Sequence, residues 1–144
     1  MTNIEIVRDY VFKQFLTQMD VPYRNLGIEH TMQVVSYCLV LSKKRDLDEE
    51  VLVIAAYLHD LSTYISHYSQ NHAARSAKIA SEILPKITSL PQEKIKLIIQ
   101  IIANHSSKNQ IHDSLSETLK DADVISHFYS GIIIDEKQKE RLVF

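Results

Sequence analysis

The chain has 144 residues, of which 45% are apolar and 24% are charged, and it carries a net charge of -2. This length predicts a single domain, residues 1–144, that can bury a core without disulfide bonds or structural metals. Because no basic stripe accompanies the slightly negative charge, the composition excludes nucleic-acid binding that depends on bulk electrostatics.

The first predicted helix follows Thr2, whose spacing to Glu5 is that of a capping box. Apolar residues then recur at helical intervals, at Ile4, Val7, Val11 and Phe15. The charged residues Arg8 and Asp9 make this segment unlike a signal peptide, and no stretch reaches the roughly 18 apolar residues of a membrane span. We therefore expect a cytoplasmic protein that contacts no membrane.

A break is predicted over residues 20–27, because this stretch contains Pro22. The second helix should then run from Gly27 to about Lys44, with an apolar stripe formed by His30, Val34, Tyr37 and Leu41. His30 therefore points towards the face that this helix buries. Cys38 is the only cysteine, which excludes a multi-cysteine metal site, and we expect it to be a buried apolar residue.

A third helix is predicted to begin near Asp48, because the acidic residues that follow suit a helix N-terminus. It contains the apolar run 51–58 and ends in the dipeptide His59-Asp60. The valines and isoleucines of this run would also suit a buried strand, but the acidic start and the scarcity of glycine favour a helix. The polar and aromatic stretch 62–70 is predicted to be a loop.

Three more helices are predicted. One starts at Asn71 or His72 and ends at Pro85, and the next, 93–104, follows a start signal formed by Ser89, Pro91 and Gln92. The last starts at Ser114, whose spacing to Glu117 is that of a capping box, and runs through Asp123 towards Gly131. The tail should present a solvated charged helix face, made of Asp135, Glu136, Lys137, Lys139, Glu140 and Arg141. The predicted fold is a compact all-α bundle.

Ionisable residues of metal-ligand type recur at the ends and buried faces of these helices: His30, His59, Asp60, His72, His105 and Asp123. Such groups are rarely taken out of water unless they are paired or bind a metal. Imidazole nitrogens and carboxylate oxygens together suit Mn, Fe, Co, Ni, Zn or Mg. His59 and Asp60 can share an ion that lies near the helix end, with His30 and Asp123 supplied by two facing helices.

The order His, His-Asp, Asp on successive helices resembles the HD-domain superfamily of metal-dependent phosphohydrolases. Three segments carry the resemblance, namely EHTMQV at 29–34, LHDL at 58–61 and KDADVI at 120–125. The segments NHAARSA at 71–77 and IANHS at 102–106 are similar to one branch of small, stand-alone bacterial HD hydrolases. The resemblance spans roughly residues 25–131 and implies the helical fold of that superfamily.

The resemblance implies that His30, His59, Asp60 and Asp123 bind one divalent ion. His72 and His105 stand where HD proteins with two metals hold the second ion, and Asp60 would then bridge the pair. A single-metal protein would instead use these two histidines as substrate ligands or proton donors. Asp60, His72 and His105 are therefore the predicted catalytic residues. One departure is that residues 61–64, Leu-Ser-Thr-Tyr, offer only hydroxyl groups where many HD enzymes carry a lysine or glutamate.

The remaining candidates are less specific. The basic side chains expected to orient phosphate oxygens are Arg75, Lys108 and Arg24. Asp121 is expected to be exposed or to lie behind the ligands, and no motif includes the remaining histidines, His67, His112 and His127, which are expected at the surface or in the core. Packing and nucleobase stacking explain four tyrosines equally well: Tyr57, Tyr64, Tyr68 and Tyr129.

The leading hypothesis is a phosphohydrolase that acts on a small phosphate ester, with a nucleotide as the expected substrate class. With two glycines the chain cannot build a glycine-rich phosphate loop, so phosphate chemistry must use metal ions and side chains. Both phosphomonoesters and phosphoanhydrides fit this chemistry. The alternatives are a non-catalytic metal-containing domain that binds or senses a nucleotide, and a polar core with a structural metal or none.

Overall fold

A computed structural model describes residues 1–18, 20–132 and 134–142. Secondary structure in these ranges is helical and contains no strand, which confirms the predicted all-α class. The helices are α1 (Asn3–Leu16), α2 (Val21–Arg45), α3 (Glu49–Leu58), α4 (Leu61–Ser66), α5 (His72–Ile87), α6 (Gln92–Asn104), α7 (Ser114–Tyr129) and α8 (Glu136–Lys139). None of the described helices has the length and apolar character that crossing a membrane requires.

Helix α3 is the centre of the core. All eight residues of the run 51–58 are buried, and α3 packs against α1, α2 and α6. The helix begins at Asp48, whose side chain accepts a hydrogen bond from the Val51 amide and so satisfies one free N–H of the first turn. A helix buried on all sides needs apolar residues at every position, which is why its sequence also resembles a strand.

Helix α2 begins earlier than predicted. Its first residue is Val21, so the prediction that the break extends to Gly27 is wrong. The Asp20 side chain accepts a hydrogen bond from the Tyr23 amide, and Pro22 lies in the first turn, where its missing N–H costs no helical hydrogen bond. Pro22 therefore starts this helix instead of breaking it.

Gly27 marks a close approach of α2 to its neighbours. A Cβ atom at this position would lie 2.8 Å from the ring of Tyr64 and 2.9 Å from the ring of Phe15. Atoms in real side chains do not pack at such distances, so any other residue would displace α1 or α4. Phe15 and Tyr64 also meet edge to face, with ring centroids 5.8 Å apart, and lock this contact.

The predicted loop 62–70 is wrong in its first half, because Leu61–Ser66 forms the short helix α4. The carbonyl of Asp60 accepts hydrogen bonds from the amides of Thr63 and Tyr64, at 3.0 and 3.4 Å. Leu61 is buried in the core, and this burial holds a segment that is too short to be a stable helix alone. The helix ends at His67 in the left-handed conformation, with a φ of 55°.

Three other helices differ from the predictions in an end or a cap, although α7 begins at Ser114 as predicted. Helix α5 continues through Pro85 to Ile87, so this proline lies inside the last turn of the helix and does not end it. Helix α6 has no side-chain cap, since Pro91 occupies the N-cap position, and Ser89 donates instead to Asn3 in α1. Helix α7 is capped by Asp113, and not by Ser114, through the Ser116 amide. The capping box predicted at the start of α1 is present.

The charged tail is only partly solvated. Arg141 donates hydrogen bonds to the carboxylates of Glu117 (3.1 Å) and Asp121 (3.0 Å) and to the Lys108 carbonyl (2.8 Å). Asp121 also pairs with Arg45 at 2.8 Å. Asp121 is therefore a buried anchor of the tail, and the prediction that Arg141 belongs to a solvated face is wrong.

Candidate metal centre

The dipeptide His59-Asp60 lies at the junction of two helices. His59 closes α3 and is fully buried, and Asp60 precedes α4 with a φ of -114° and a ψ of 12°. This backbone turn redirects the side chain of Asp60, so both residues of the pair face the same interior point. The helix end therefore solves the problem that adjacent residues on one helix diverge by about 100°.

Two facing helices complete a first ligand group, which consists of His30, His59, Asp60 and Asp123. One ligand atom of each residue lies within 4.8 Å of all the others. His30 Nε2 is 3.0 Å from Asp123 Oδ1, 3.2 Å from Asp60 Oδ2 and 3.2 Å from His59 Nε2. Helices α2, α3 and α7 thus bring together the four residues predicted to hold one ion.

A second ligand group consists of Asp60, His72 and His105. Asp60 Oδ1 lies 3.1 Å from His105 Nε2 and 3.3 Å from His72 Nε2, and the two imidazole nitrogens are 3.1 Å apart. Asp60 therefore turns one oxygen towards each group. A carboxylate divided in this way has the arrangement of a bridging ligand between two ions.

Backbone contacts fix the tautomer of three of the histidines. Each Nδ1 atom lies within hydrogen-bonding distance of a carbonyl oxygen: His59 with Ala56 (2.7 Å), His105 with Ile102 (2.7 Å) and His72 with Ser69 (3.1 Å). A carbonyl only accepts, so Nδ1 carries the proton and Nε2 of the neutral ring presents a lone pair. These lone pairs point into the two ligand groups.

Side chains, instead of a backbone carbonyl, fix the same tautomer of His30. Its Nδ1 lies 3.0 Å from Ser126 Oγ, and that hydroxyl donates to Gln33 Oε1 at 2.7 Å. Because the hydroxyl proton is used on Gln33, Ser126 accepts from His30, and His30 Nε2 is left with a lone pair. This outer contact is of the kind that orients a metal-ligating imidazole.

One inner atom of the first ligand group lacks a hydrogen-bond partner. Asp123 Oδ1 is buried and accepts no hydrogen bond of good geometry, although His30 Nε2 is only 3.0 Å away. Imidazole lone pairs facing each other and a carboxylate are repulsive unless a cation lies between them. The residues therefore fit a divalent ion, which His30, His59, Asp60 and Asp123 would hold.

Electrostatics agree with that fit. Burial alone would raise the pKa of Asp60 and Asp123, but nearby His59 and Lys108, respectively, act most strongly to hold the pKa of each carboxyl well below its usual range. Burial alone would lower the pKa of His59, and Asp60 with Asp123 instead raises it to about 10. The carboxylates are thus ionised, and a positive charge is favoured between them.

Lys108 is the predicted phosphate-binding residue that lies at this centre. Its Nζ atom donates to Asp123 Oδ2 at 2.7 Å and to the His105 carbonyl at 2.6 Å. Lys108 also lines a cavity of about 290 Å³ together with Asp60, His72 and Asp123. We call it the metal-side cavity. An ammonium group at its wall suits an anionic substrate.

The other two basic candidates lie elsewhere. Arg75 donates to the Tyr68 carbonyl and to Ser66 Oγ, and it lies over the Tyr68 ring at 4.7 Å from the centroid. It lines a separate surface cavity, away from Asp60. Arg24 lines neither cavity, and its buried Nε has no hydrogen-bond partner. Their assignment to phosphate binding stays a prediction without support from these contacts.

Two residues at the centre were not singled out from the sequence. His127 stacks on His30, with ring centroids 4.8 Å apart and an interplanar angle of 12°, and its Nε2 lies 3.7 Å from Asp123 Oδ1. Thr63 lines the metal-side cavity, and its buried hydroxyl has no hydrogen-bond partner. The i,i+4 spacing of His127 from Asp123 in α7 was the available signal. His67 and His112 lie outside the ligand groups.

Comparison with known proteins identifies the family. The sequence profile of the HD domain matches residues 27–127. The fold is similar to the crystal structure of a predicted HD superfamily hydrolase from an uncultured Thermotogales bacterium, with a TM-score of 0.69 and 20% sequence identity over 97% of this chain and 83% of that chain. No curated protein matches the chain significantly.

Because the profile covers more than half of its residues, this chain belongs to the HD-domain family. The resemblance seen in the sequence is thereby confirmed, together with the helical fold that it implied. The chain also has the His/Asp cluster that could hold a divalent metal in a protein of this family.

Proposed function

We propose that this protein is a metal-dependent phosphohydrolase that acts on a phosphate ester of a small molecule, with a nucleotide as the expected substrate class. One observation carries the proposal. Asp60 divides its two oxygens between two histidine-containing ligand groups, at the wall of a cavity that also contains the ammonium group of Lys108. The substrate class and a cytoplasmic location rest on the sequence.

In the proposed reaction, the oxygen of a water molecule forms a bond to phosphorus while the bond from phosphorus to the leaving oxygen breaks. The leaving oxygen gains a proton, and no atom is oxidised or reduced. A divalent ion bound here supplies Lewis acidity and lowers the pKa of water towards neutrality. His30, His59, Asp60 and Asp123 would hold the first ion, and Asp60, His72 and His105 a second.

The side chains at the cavity have distinct roles in this proposal. Lys108 neutralises Asp123 and offers its one remaining donor to a phosphoryl oxygen. His72 is the most exposed ligand, with 29% of its side chain accessible, so the second group opens to the cavity. The Nε2 atoms of His72 and His105 both face Asp60, which supports a ligand role over proton donation.

The test is phosphate release by metal-depleted protein that has been reloaded separately with Mn, Fe, Co, Ni, Mg or Zn. The substrates are a panel of nucleotides and sugar phosphates. We expect release by the wild type and by Asp46→Asn, and none by Asp60→Asn. Asp46 is a matched control because it is exposed and has a φ of 54°, which asparagine also tolerates.

Activity that survives both Asp60→Asn and chelation would contradict the proposal. Tight nucleotide binding by the metal-loaded protein without turnover would replace it with the non-catalytic binding domain. Protein that contains no metal after purification, and whose stability a chelator leaves unchanged, would favour a polar core without an ion.

A further inference from the structure

A second cavity adjoins the metal-side cavity. It encloses about 490 Å³, against about 290 Å³ on the metal side, and Thr63 and His127 line both. His30 also lines the larger cavity, so the first ligand group forms part of its wall. A volume of several hundred Å³ is typical of sites for small organic ligands.

Much of the surface that lines the larger cavity is apolar. Tyr23, Leu26, Tyr64 and Ile132 contribute apolar surface, and we call it the apolar cavity. Burial raises the pKa of Tyr64, so its phenol stays neutral. Tyr57, by contrast, packs into the core against Phe12 and is not available to a ligand. Of the tyrosines considered for stacking on a ring, Tyr64 is therefore the one that lines a cavity beside the ligands.

Charge separates the two cavities. Among the described residues that line the apolar cavity there is no lysine or arginine, and Glu29 contributes a carboxylate. Lys108 stands on the metal side only. The carboxylates of Asp60 and Asp123 also line the metal side, but a divalent ion bound there would neutralise them. A phosphate group would thus meet cations in that cavity and the carboxylate of Glu29 in the other. The phosphate to be cleaved fits the metal side, and a further phosphate on the leaving group does not fit the apolar side.

Thr63 lies where the two cavities meet. Its hydroxyl is buried and has no hydrogen-bond partner. Its carbonyl accepts a hydrogen bond from the Tyr23 hydroxyl at 3.0 Å, which holds this residue in place. A buried hydroxyl without a partner is costly. An ester oxygen at the junction of the cavities would satisfy it.

We infer that the substrate is a phosphomonoester of an uncharged, ring-bearing alcohol, with its phosphate in the metal-side cavity and its alcohol in the apolar cavity. The inference rests on the proposed function and narrows it, because it excludes phosphoanhydrides whose leaving group carries phosphate. Water and the ester give inorganic phosphate and the free alcohol. Glu29 and Ser130 supply polar contacts to hydroxyl or amino groups of that alcohol.

A comparison of substrates tests the inference. The Mn-loaded protein is given a nucleoside 5′-monophosphate, the matching triphosphate, glycerol phosphate and inorganic pyrophosphate. We expect kcat/KM for the nucleoside monophosphate to exceed each of the others at least about tenfold. A kcat/KM for the triphosphate or pyrophosphate that equals or exceeds it would overturn the inference. If no substrate is hydrolysed with any of the six metals, the proposed function itself fails.

A charge introduced on the rim gives an independent measurement. Leu26 is 59% exposed, so Leu26→Lys should fold normally while placing a cation at the apolar cavity. We expect the ratio of kcat/KM for nucleoside diphosphate over monophosphate to rise about tenfold. Leu97→Lys is the matched control, since Leu97 is 39% exposed on α6 and lines neither cavity, and it should leave the ratio unchanged.

The carboxylate on the same wall is tested by Glu29→Gln, which removes a negative charge without changing the shape of the side chain. The diphosphate-to-monophosphate ratio should rise about threefold, less than for Leu26→Lys, because no cation is added. Glu93→Gln, an exposed carboxylate at the start of α6, serves as the control. A ratio that neither Leu26→Lys nor Glu29→Gln changes would overturn the assignment of the leaving group to this cavity.

Discussion

The two ligand groups share Asp60 but differ in their access to water. In the first group His59 is fully buried, His30 is 10% exposed and Asp123 is 5% exposed. In the second group His105 is fully buried, but 29% of the His72 side chain is accessible to water. The first group has four protein ligands and the second has three.

This difference in exposure predicts that one group retains its ion and that the other lets water or substrate reach its ion. Structural metal sites surround the ion with protein ligands, whereas catalytic sites keep a position for water or substrate. The buried group therefore suits an ion that stays bound and supports the fold. The open group suits an ion that meets the substrate, and removing single ligands should separate the two behaviours.

The largest expected effect comes from Asp60→Asn, because this carboxylate belongs to both groups. We expect metal content to fall at both positions and kcat/KM to fall at least about 100-fold, equivalent to roughly 3 kcal/mol of lost transition-state stabilisation. Elemental analysis and steady-state kinetics measure the two effects. Normal metal content in Asp60→Asn would show that Asp60 does not bridge the groups.

A matched pair of substitutions, His59→Gln and His72→Gln, should divide the two groups. His59→Gln removes the imidazole that lies beside the buried carboxylates of Asp60 and Asp123, so we expect the free energy of unfolding to fall by about 3 kcal/mol and the first ion to be lost. His72→Gln should remove only the second ion and cost less than about 0.5 kcal/mol. Chemical denaturation and metal analysis measure these effects. Equal stability and equal metal content in the two variants would contradict the distinction between the groups.

The pH dependence of metal binding should reflect His59. In the metal-free protein its pKa is about 10, so the protonated ring stabilises the fold fully below its ordinary pKa of 6.5, and this stability is lost as pH rises through 10. A bound ion needs the neutral ring, so it competes with this proton. We expect stabilisation by metal to grow by about 1.4 kcal/mol per pH unit between pH 6 and 8.

Thermal unfolding with and without metal, followed at several pH values, measures this growth. Asp60 and Asp123 keep their charge across the same range, because the pKa of each is lowered well below its usual value. Stabilisation by metal that is the same at pH 6 and pH 8 would show that no proton is displaced from His59.

A smaller effect is expected from Ser126→Ala, which removes the acceptor of the His30 Nδ1 proton. The tautomer and orientation of His30 would no longer be fixed, so affinity for the first ion should fall about tenfold. The neighbouring Ser130→Ala tests whether the loss is specific, since Ser130 also donates to Gln33 but does not contact His30. Isothermal titration with Mn gives both affinities, and equal values for the two variants would contradict the role of Ser126.

The smallest expected effect comes from Lys108→Gln. Loss of the ammonium group removes a cation that shares Asp123 with the ion, so metal affinity should rise about threefold. KM for the phosphate ester should rise about threefold as well, because the phosphoryl oxygens lose a donor. Lys137→Gln is the control, as Lys137 lies on the tail. A KM that does not change would remove Lys108 from phosphate binding.

The clustering of the candidate ligands could be predicted because each of these residues stands in a recognisable segment. The motifs that contain His30, the pair His59-Asp60 and Asp123 stand in an order that can be recognised from a single sequence. The resemblance also implied that Asp60 is shared between two groups, but the turn between α3 and α4 that produces this division could not be predicted. Helix α4, which follows this turn, was also not predicted, because its six residues are held by burial of Leu61 and not by helix propensity.

The other features could not be predicted because they depend on contacts between residues that are far apart in the sequence. Lys108 and Arg75 look alike as basic residues near histidines, yet Lys108 pairs with Asp123 and Arg75 with Ser66 and Tyr68. His127 carries no motif, and its place beside His30 depends on how α7 packs against α2. Periodicity describes which face of a helix is buried, and it does not describe what that face meets.

The close approach at Gly27 gives control over the apolar cavity from outside it. Gly27 does not line that cavity, but a methyl group there would press on the ring of Tyr64, which does. A single added carbon would thus displace one aromatic ring and so change the space available to the alcohol. Position 27 is therefore a natural place to tune substrate size by engineering, at the cost of some stability and without altering any ligand of the metal centre.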